Sequence, residues 1–333
     1  MAGKPVDCNA QMPACCMSTG SLQAALMRFC LGNCAMAPKD LMLALVVIVV
    51  WGMNFVVIKV GLDDIPPMLL GSLRFLLAAF PAVLFIKRPQ MPLRWLLAYG
   101  GTISLGQFAF LFSAMKVGMP AGLASLVLQS QAFFTLFFAV LFLGERLRAS
   151  NLVGLMIAAG GLLLIGMQGD RSMTLAGFLL TICAASMWAL GNIVTRKVGK
   201  VNLVGLVVWG SLIPPIPFFA LSWVLEGPEA IGGALRGFGM DSALVLIYLA
   251  FGATILGYGL WSRLLSRYPA NTVAPFSLLV PVVGLTSAAV LLDEHLGLLQ
   301  AVGALLVMLG LVINVGGGWV VGRLRTAFGS PAA

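Results

Sequence analysis

A stretch of 23 residues without a single charge, Ala121 to Leu143, returns in altered form 149 positions later. The longer segment MPAGLASLVLQSQAFFTLFFAVLFLGERL, from Met119 to Leu147, reappears as YPANTVAPFSLLVPVVGLTSAAVLLDEHL, from Tyr268 to Leu296. Pro120 maps onto Pro269, Ala121 onto Ala270, Leu136 onto Leu285, Ala139 onto Ala288, Leu143 onto Leu292 and Glu145 onto Glu294. The same offset pairs Tyr99 with Tyr248 and Ser113 with Ser262 upstream. Downstream it pairs Gly154 with Gly303 and Gly161 with Gly310. A helix of this length crosses the ~30 Å hydrocarbon core of a bilayer. The chain therefore reads as a duplicated membrane protein.

Composition agrees. Sixty per cent of the residues are hydrophobic and 9% are charged, against about 45–50% apolar and about 25% charged in soluble domains. Ten spans are expected, at 40–60, 66–86, 94–115, 120–143, 151–168, 174–196, 203–225, 243–263, 270–292 and 298–315. They divide into a first repeat over 39–168 and a second over 174–316. Residues 1–38 lack helical periodicity and a signal-peptide core, and are expected to be a disordered extension. Met36 directly precedes the first span and is the expected translation start; detection of peptides from residues 1–35 would refute this. Residues 317–333 form the expected C-terminal tail.

The net charge of +9 does not point to nucleic acid. The bases fall between hydrophobic segments instead of on one face, which makes them topology signals. Fifteen of the 20 bases lie on one side of the expected membrane, including Lys39, Lys87, Arg88, Arg94, Arg146, Arg148, Arg196, Lys197, Lys200, Arg263, Arg267, Arg323 and Arg325. Most of the acids lie on the other: Asp63, Asp64, Asp170, Glu226, Glu229, Asp241, Asp293 and Glu294. The positive-inside rule puts both termini in the cytoplasm. Five spans per repeat, an odd number, make the second copy enter from the opposite face, the inverted-repeat layout of many secondary transporters.

The chemistry-bearing residues exclude most enzyme classes. His295 is the single histidine and sits at a helix end. No span carries a mid-helix carboxylate and no GxxxxGK[ST] phosphate loop occurs. Five of the six cysteines lie in the first 34 residues, and Cys183 is alone in a span, so no metal or disulfide framework is expected. No cofactor is expected.

The intramembrane polar set is sparse and mostly neutral. Asn54 lies in the first span and Arg74 in the second. Ser104 and Gln107 share a face of the third. Gln129 shares a face with Ser125 and Gln131 with Thr135, so the two glutamines of the fourth span point different ways. Trp188, Asn192 and Thr195 form a stripe on the sixth, and Tyr248, Thr254 and Tyr258 lie on the eighth. Amides and hydroxyls suit a zwitterionic small molecule, because they hold an amine and a carboxylate without a fixed charge that would trap it. The alternative is that these groups bond helix to helix, at ~0.6 kcal/mol each. Arg at a helix centre costs about 2.5–3.5 kcal/mol, and a substrate carboxylate would offset that cost; snorkelling is the other way out. Lys59, nearer an end, is expected to snorkel. Candidate substrate-binding residues are thus Asn54, Arg74, Gln107, Gln129, Gln131, Trp188, Asn192 and Tyr258.

Pro214, Pro215 and Pro217 should bend the seventh span, and Pro275 and Pro281 the ninth. Gly154 with Gly161, and Gly303 with Gly310, lie seven apart on one face, which suits close packing within one protomer or at a homodimer contact.

The stretches WGMNFVVIK, WALGNIVTRK, MPAGLASLVLQSQAFF, FLGERL and LLVPVVGLTSAAVLLDEHL resemble the EamA family of the drug/metabolite transporter superfamily. The resemblance covers residues 37–320. It implies an all-α integral membrane protein of ten helices in two inverted five-helix repeats. It further implies an inner-membrane location and export of small amino-acid metabolites such as cysteine and O-acetylserine. The expected partners are then these small substrates and the lipid bilayer. A broader metabolite or drug exporter, a membrane-embedded transferase and a passive channel are the competing readings.

Overall fold

The computed structural model describes residues 36–147, 149–167, 173–199 and 201–327, with side chains up to 315 apart from those of 270 and 271. The N-terminal extension before Met36, the bases Arg148, Arg171 and Lys200, Asp170, and the side chains of Arg323 and Arg325 lie outside this set.

Ten helices among the described residues are long and apolar enough to cross a membrane. They are Pro38–Asp64, Pro67–Phe85, Leu93–Lys116, Ala121–Leu143, Ala149–Met167, Leu175–Val198, Leu203–Leu225, Met240–Arg267, Ala274–Leu291 and Leu298–Val315, the first to tenth spans below. Each matches an expected span to within a few residues. Helix is the natural outcome, because a bilayer offers no water to satisfy backbone N–H and C=O groups. The protein is an all-α, multi-pass membrane protein. The helix of the tenth span continues to Ala327. The connection after the seventh span carries a further helix, Gly227–Arg236, which buries Ile231.

The spans interlock across the chain. The ninth packs on the first and fourth, the sixth on the third and fourth, the eighth on the first, the seventh on the second, and the tenth on the fifth. In the fifth–tenth pair the glycines decide the distance. A Cβ added to Gly161 would lie 2.6 Å from the Gly303 carbonyl oxygen, and one on Gly154 the same distance from that of Gly310. These glycines therefore serve a contact within one protomer, where only hydrogen lets the backbones approach so closely. Asn151 Nδ2 donates to Asn314 Oδ1 along the same seam at 2.6 Å.

Several spans depart from regular α geometry, and the departures fall near the middle of the molecule. The third and eighth contain wide π-helical stretches, Gly100–Gly106 and Tyr248–Leu256. The fourth tightens to a 3-10 turn at Leu128–Ser130, and the ninth at Ala274–Leu279, where Pro275 removes a donor. The seventh breaks between Gly210 and Pro215, as its proline cluster leads one to expect. Ser72 Oγ donates to the Pro215 carbonyl at this break, at 2.9 Å.

Candidate functional site

A cavity of about 340 Å³ lies inside the bundle. All eight sequence-selected residues line it: Asn54, Arg74, Gln107, Gln129, Gln131, Trp188, Asn192 and Tyr258. They come from six spans, so only tertiary packing brings them together. The irregular turns supply much of the wall. Ile103 belongs to the π stretch of the third span and Tyr99 and Gln107 flank it; Ala253 belongs to that of the eighth, and Ser277 to the 3-10 segment of the ninth. Such local distortions turn side chains and carbonyls out of helical register and are frequent at functional sites.

Hydrogen bonds sort the eight residues into groups. Gln131, Asn192 and Gln129 are engaged. Asn192 Nδ2 donates to Gln131 Oε1 at 2.9 Å and to Thr135 Oγ1 at 3.1 Å, joining the sixth span to the fourth. Gln129 Nε2 donates to the Ser277 carbonyl at 3.2 Å, joining the fourth span to the ninth. The two glutamines do point to different neighbours, and each bridges helices while facing the cavity.

Arg74, Asn54 and Gln107 form the other group. Arg74 is 3% exposed and does not snorkel. Its Nη2 donates to Thr254 Oγ1 at 3.3 Å, and its guanidinium carbon lies 4.2 Å from the centre of the Phe108 ring, a favourable cation–π placement. Among the described residues Nε and Nη1 have no hydrogen-bond partner, and neither does the buried Oδ1 of Asn54 or Oε1 of Gln107. The salt bridges found among the described residues, Arg196–Glu145 and Arg267–Asp40, do not involve Arg74. A buried guanidinium left with one neutral partner is costly, and unpaired buried polar atoms in residues that line a cavity call for an explanation, of which a ligand is one.

Aromatic rings complete the wall. The Trp51 ring centre lies 5.2 Å from that of Tyr258 and 5.4 Å from that of Trp261, and its Nε1–H is held by the Ala253 carbonyl at 3.0 Å. Trp51, Tyr99, Trp261 and Ser277 face the cavity but were not among the sequence candidates. Of these, Tyr99 carried a signal, its repeat partner Tyr248. The partner itself is placed elsewhere, donating its hydroxyl to the Val50 carbonyl at 2.8 Å. Thr254 is spent on Arg74 and on the Leu249 carbonyl.

The two ends of the cavity differ. Toward the acid-rich face it stops at a packed layer that includes Ile58, Phe112, Met115, Met119 and Leu123, each no more than 1% exposed. Glu294 closes that face over the fourth span: its carboxylate accepts the Ala121 and Gly122 N–H groups at 2.7 and 2.9 Å. Glu226 does the same for the second span, accepting from Met68 at 2.6 Å and Leu69 at 3.3 Å. Lys59 donates to the Met115 carbonyl and Lys116 to the Leu62 carbonyl, so the ends of the first and third spans hold each other. Toward the base-rich face the lining reaches Thr195, Leu203 and Leu265, at the ends of their spans and only half-buried.

Comparison with known proteins adds an independent line. The model of the EamA-like transporter family matches the chain twice, over residues 39–167 and 175–316. The chain is 53% identical over 289 residues to a protein of Escherichia coli K12 named "Probable amino-acid metabolite efflux pump", covering 85% of this chain and 96% of that one. The protein of the same name in Salmonella typhimurium is 54% identical, with the same coverage. A solved crystal structure of a protein 19% identical in sequence superposes with a TM-score of 0.57, covering 87% of this chain and all of that one, a likeness of fold alone.

Proposed function

The chain belongs to the EamA-like transporter family, and on that premise we propose that it is a secondary transporter exporting small amino-acid metabolites across the inner membrane. Cysteine, O-acetylserine and related amino acids are the proposed substrates. The observation that carries this reading is the central cavity, mostly apolar with a few convergent polar groups, closed by packing toward the acid-rich face and lined out to the span ends on the base-rich one. With the base-rich face cytoplasmic by the positive-inside rule, this is a carrier ready to load from inside the cell. The substrate-binding residues are those that line the cavity, with Asn54, Arg74 and Gln107 at its open polar positions.

Alternating access follows if the two halves are inverted repeats rocking about the cavity. Two features support that arrangement. The π stretches of the third and eighth spans lie at the 149-residue offset. Exchanging the halves also turns the third–sixth contact into the eighth–first, and the fourth–sixth contact into the ninth–first. A second reading, a broader metabolite or drug exporter, is favoured by the aromatic wall of Trp51, Phe108, Trp188, Tyr258 and Trp261.

Efflux of labelled cysteine and O-acetylserine, from cells with and without the protein, tests the proposal. Saturable efflux that other small amino acids compete supports it. No efflux from cells shown to hold inserted protein overturns it, and competition mainly by bulky aromatic compounds selects the second reading.

A further inference from the structure

We propose that the cavity recognises its ligand as a zwitterion through two separate poles: Arg74 receives a carboxylate, and the neutral oxygens of Asn54 and Gln107 receive an ammonium. This rests on the export reading for the identity of the site, and it adds which atoms decide what is accepted.

The inference comes from a count of open valences. Arg74 has five N–H donors, and its Nε and Nη1 have no acceptor among the described residues. Nε and Nη1 lie on opposite edges of the planar guanidinium, so a bidentate carboxylate would pair one of them with the second N–H of Nη2, whose first goes to Thr254. Phe108 lies 4.2 Å from the guanidinium carbon, with Phe75 at 5.5 Å. These faces favour the cation without using its donors. The open acceptors are of the complementary kind. Asn54 Oδ1 and Gln107 Oε1 are buried and without donors, and a primary ammonium has three donors and no acceptor.

Among the described residues no carboxylate lines the cavity. The amine is therefore held by dipoles alone, while the carboxylate meets a full charge. Both contacts are charge-assisted, but only the carboxylate gains an ion pair with bidentate geometry, whereas the ammonium gains an ion–dipole contact. The two poles are thus unequal, and loss of the carboxylate should cost more than loss of the amine. Gln129, Gln131 and Asn192 belong to neither pole, because Gln129 bonds to the Ser277 carbonyl of the ninth span and Asn192 to Gln131 across the sixth and fourth.

The test is ligand-induced thermal stabilisation of the purified full-length protein. The probes are L-cysteine, cysteamine (no carboxylate) and 3-mercaptopropionate (no amine), with L-serine and L-alanine as further zwitterions. The expected order is zwitterion first, 3-mercaptopropionate next and cysteamine last. Each half-molecule should bind at least tenfold more weakly than cysteine. Arg74→Gln should remove the preference for cysteine over cysteamine, and Gln107→Leu, alone or with Asn54→Leu, the preference over 3-mercaptopropionate. Equal binding of all three probes by the unaltered protein overturns the proposal. So does uniform weakening of all three in the folded variants, and so does the absence of stabilisation by any zwitterion at millimolar concentration. Binding is read apart from flux. Two-pole binding without cysteine efflux sinks the export reading alone, and saturable efflux without pole discrimination sinks this proposal alone.

Discussion

The fourth span begins under Glu294 at the acid-rich face and ends beside Glu145 at the base-rich one. These two residues are counterparts, 149 positions apart. Glu294 is tied to backbone: it accepts two N–H groups at the start of the fourth span, where the helix dipole also favours a negative charge. Glu145 is tied to a side chain, Arg196, at 3.1 Å, with both partners about half exposed. The rest of each face is mixed, for the base-rich face also has ties to backbone, from Trp209 Nε1–H to the Ile86 carbonyl and from the Gly205 N–H to Asn202 Oδ1. At the acid-rich face Thr174 donates to the Val117 carbonyl and caps the Gly177 N–H of the sixth span. At the base-rich face the first span is held to the end of the eighth by Asp40, which accepts from Arg267 and from the Tyr268 hydroxyl. Short ties to backbone make a seal. Long side chains meeting near water make a clasp, screened by salt and able to re-pair. Of these two aligned positions, one is thus tied to backbone, the seal, and the other is clasped by a side chain, the latch, and the cavity lining runs toward the latch.

The largest expected effect is on access. In a cysteine-free background, Leu203→Cys at the base-rich mouth should react with a water-soluble maleimide about tenfold or more faster than Leu123→Cys behind the seal, because reaction at a buried site waits for local opening. Equal rates would break the comparison. Next comes Glu294→Ala, which orphans two buried N–H groups and should lower stability by ~2 kcal/mol, read as a drop in melting temperature with weaker transport. Thr174→Val, removing one neutral cap, should cost ~1 kcal/mol by the same measurement. Arg196→Ala should cost the least, ~0–1 kcal/mol, because exposed pairs contribute little. If Arg196→Ala proved more damaging than Glu294→Ala, the clasp would be the structural element and the assignment of seal and latch would reverse.

Much of the fold could be read from the chain. Charge-free runs of membrane length, punctuated by bases, allow few alternatives in lipid. The proline clusters predicted where the seventh and ninth spans lose regular helix. The helix Gly227–Arg236 was hidden because it is short and lies between spans, where hydropathy carries no signal. The site was legible as a set. Asn54, Arg74 and Gln107 stand out because polar groups are rare in such helices, and all eight candidates reach one cavity. Their division was not legible. Gln131 and Gln107 are the same residue type at similar depth, yet one is satisfied by Asn192 and the other is open. Trp51 and Trp261 carry no polar signal that sets them apart in the sequence, yet they form part of the wall.

The sequence by itself determined the ten spans, the duplication and the identity of the few polar groups a bilayer would have to hide. Each follows from local chemistry, the cost of exposing charge or backbone to hydrocarbon, which a single helix already feels. Tertiary structure decided which of those groups find partners and which end of the cavity is sealed. Both depend on how helices distant in the chain meet, and a hydrogen bond between the fourth span and the sixth exists only once those two helices have packed.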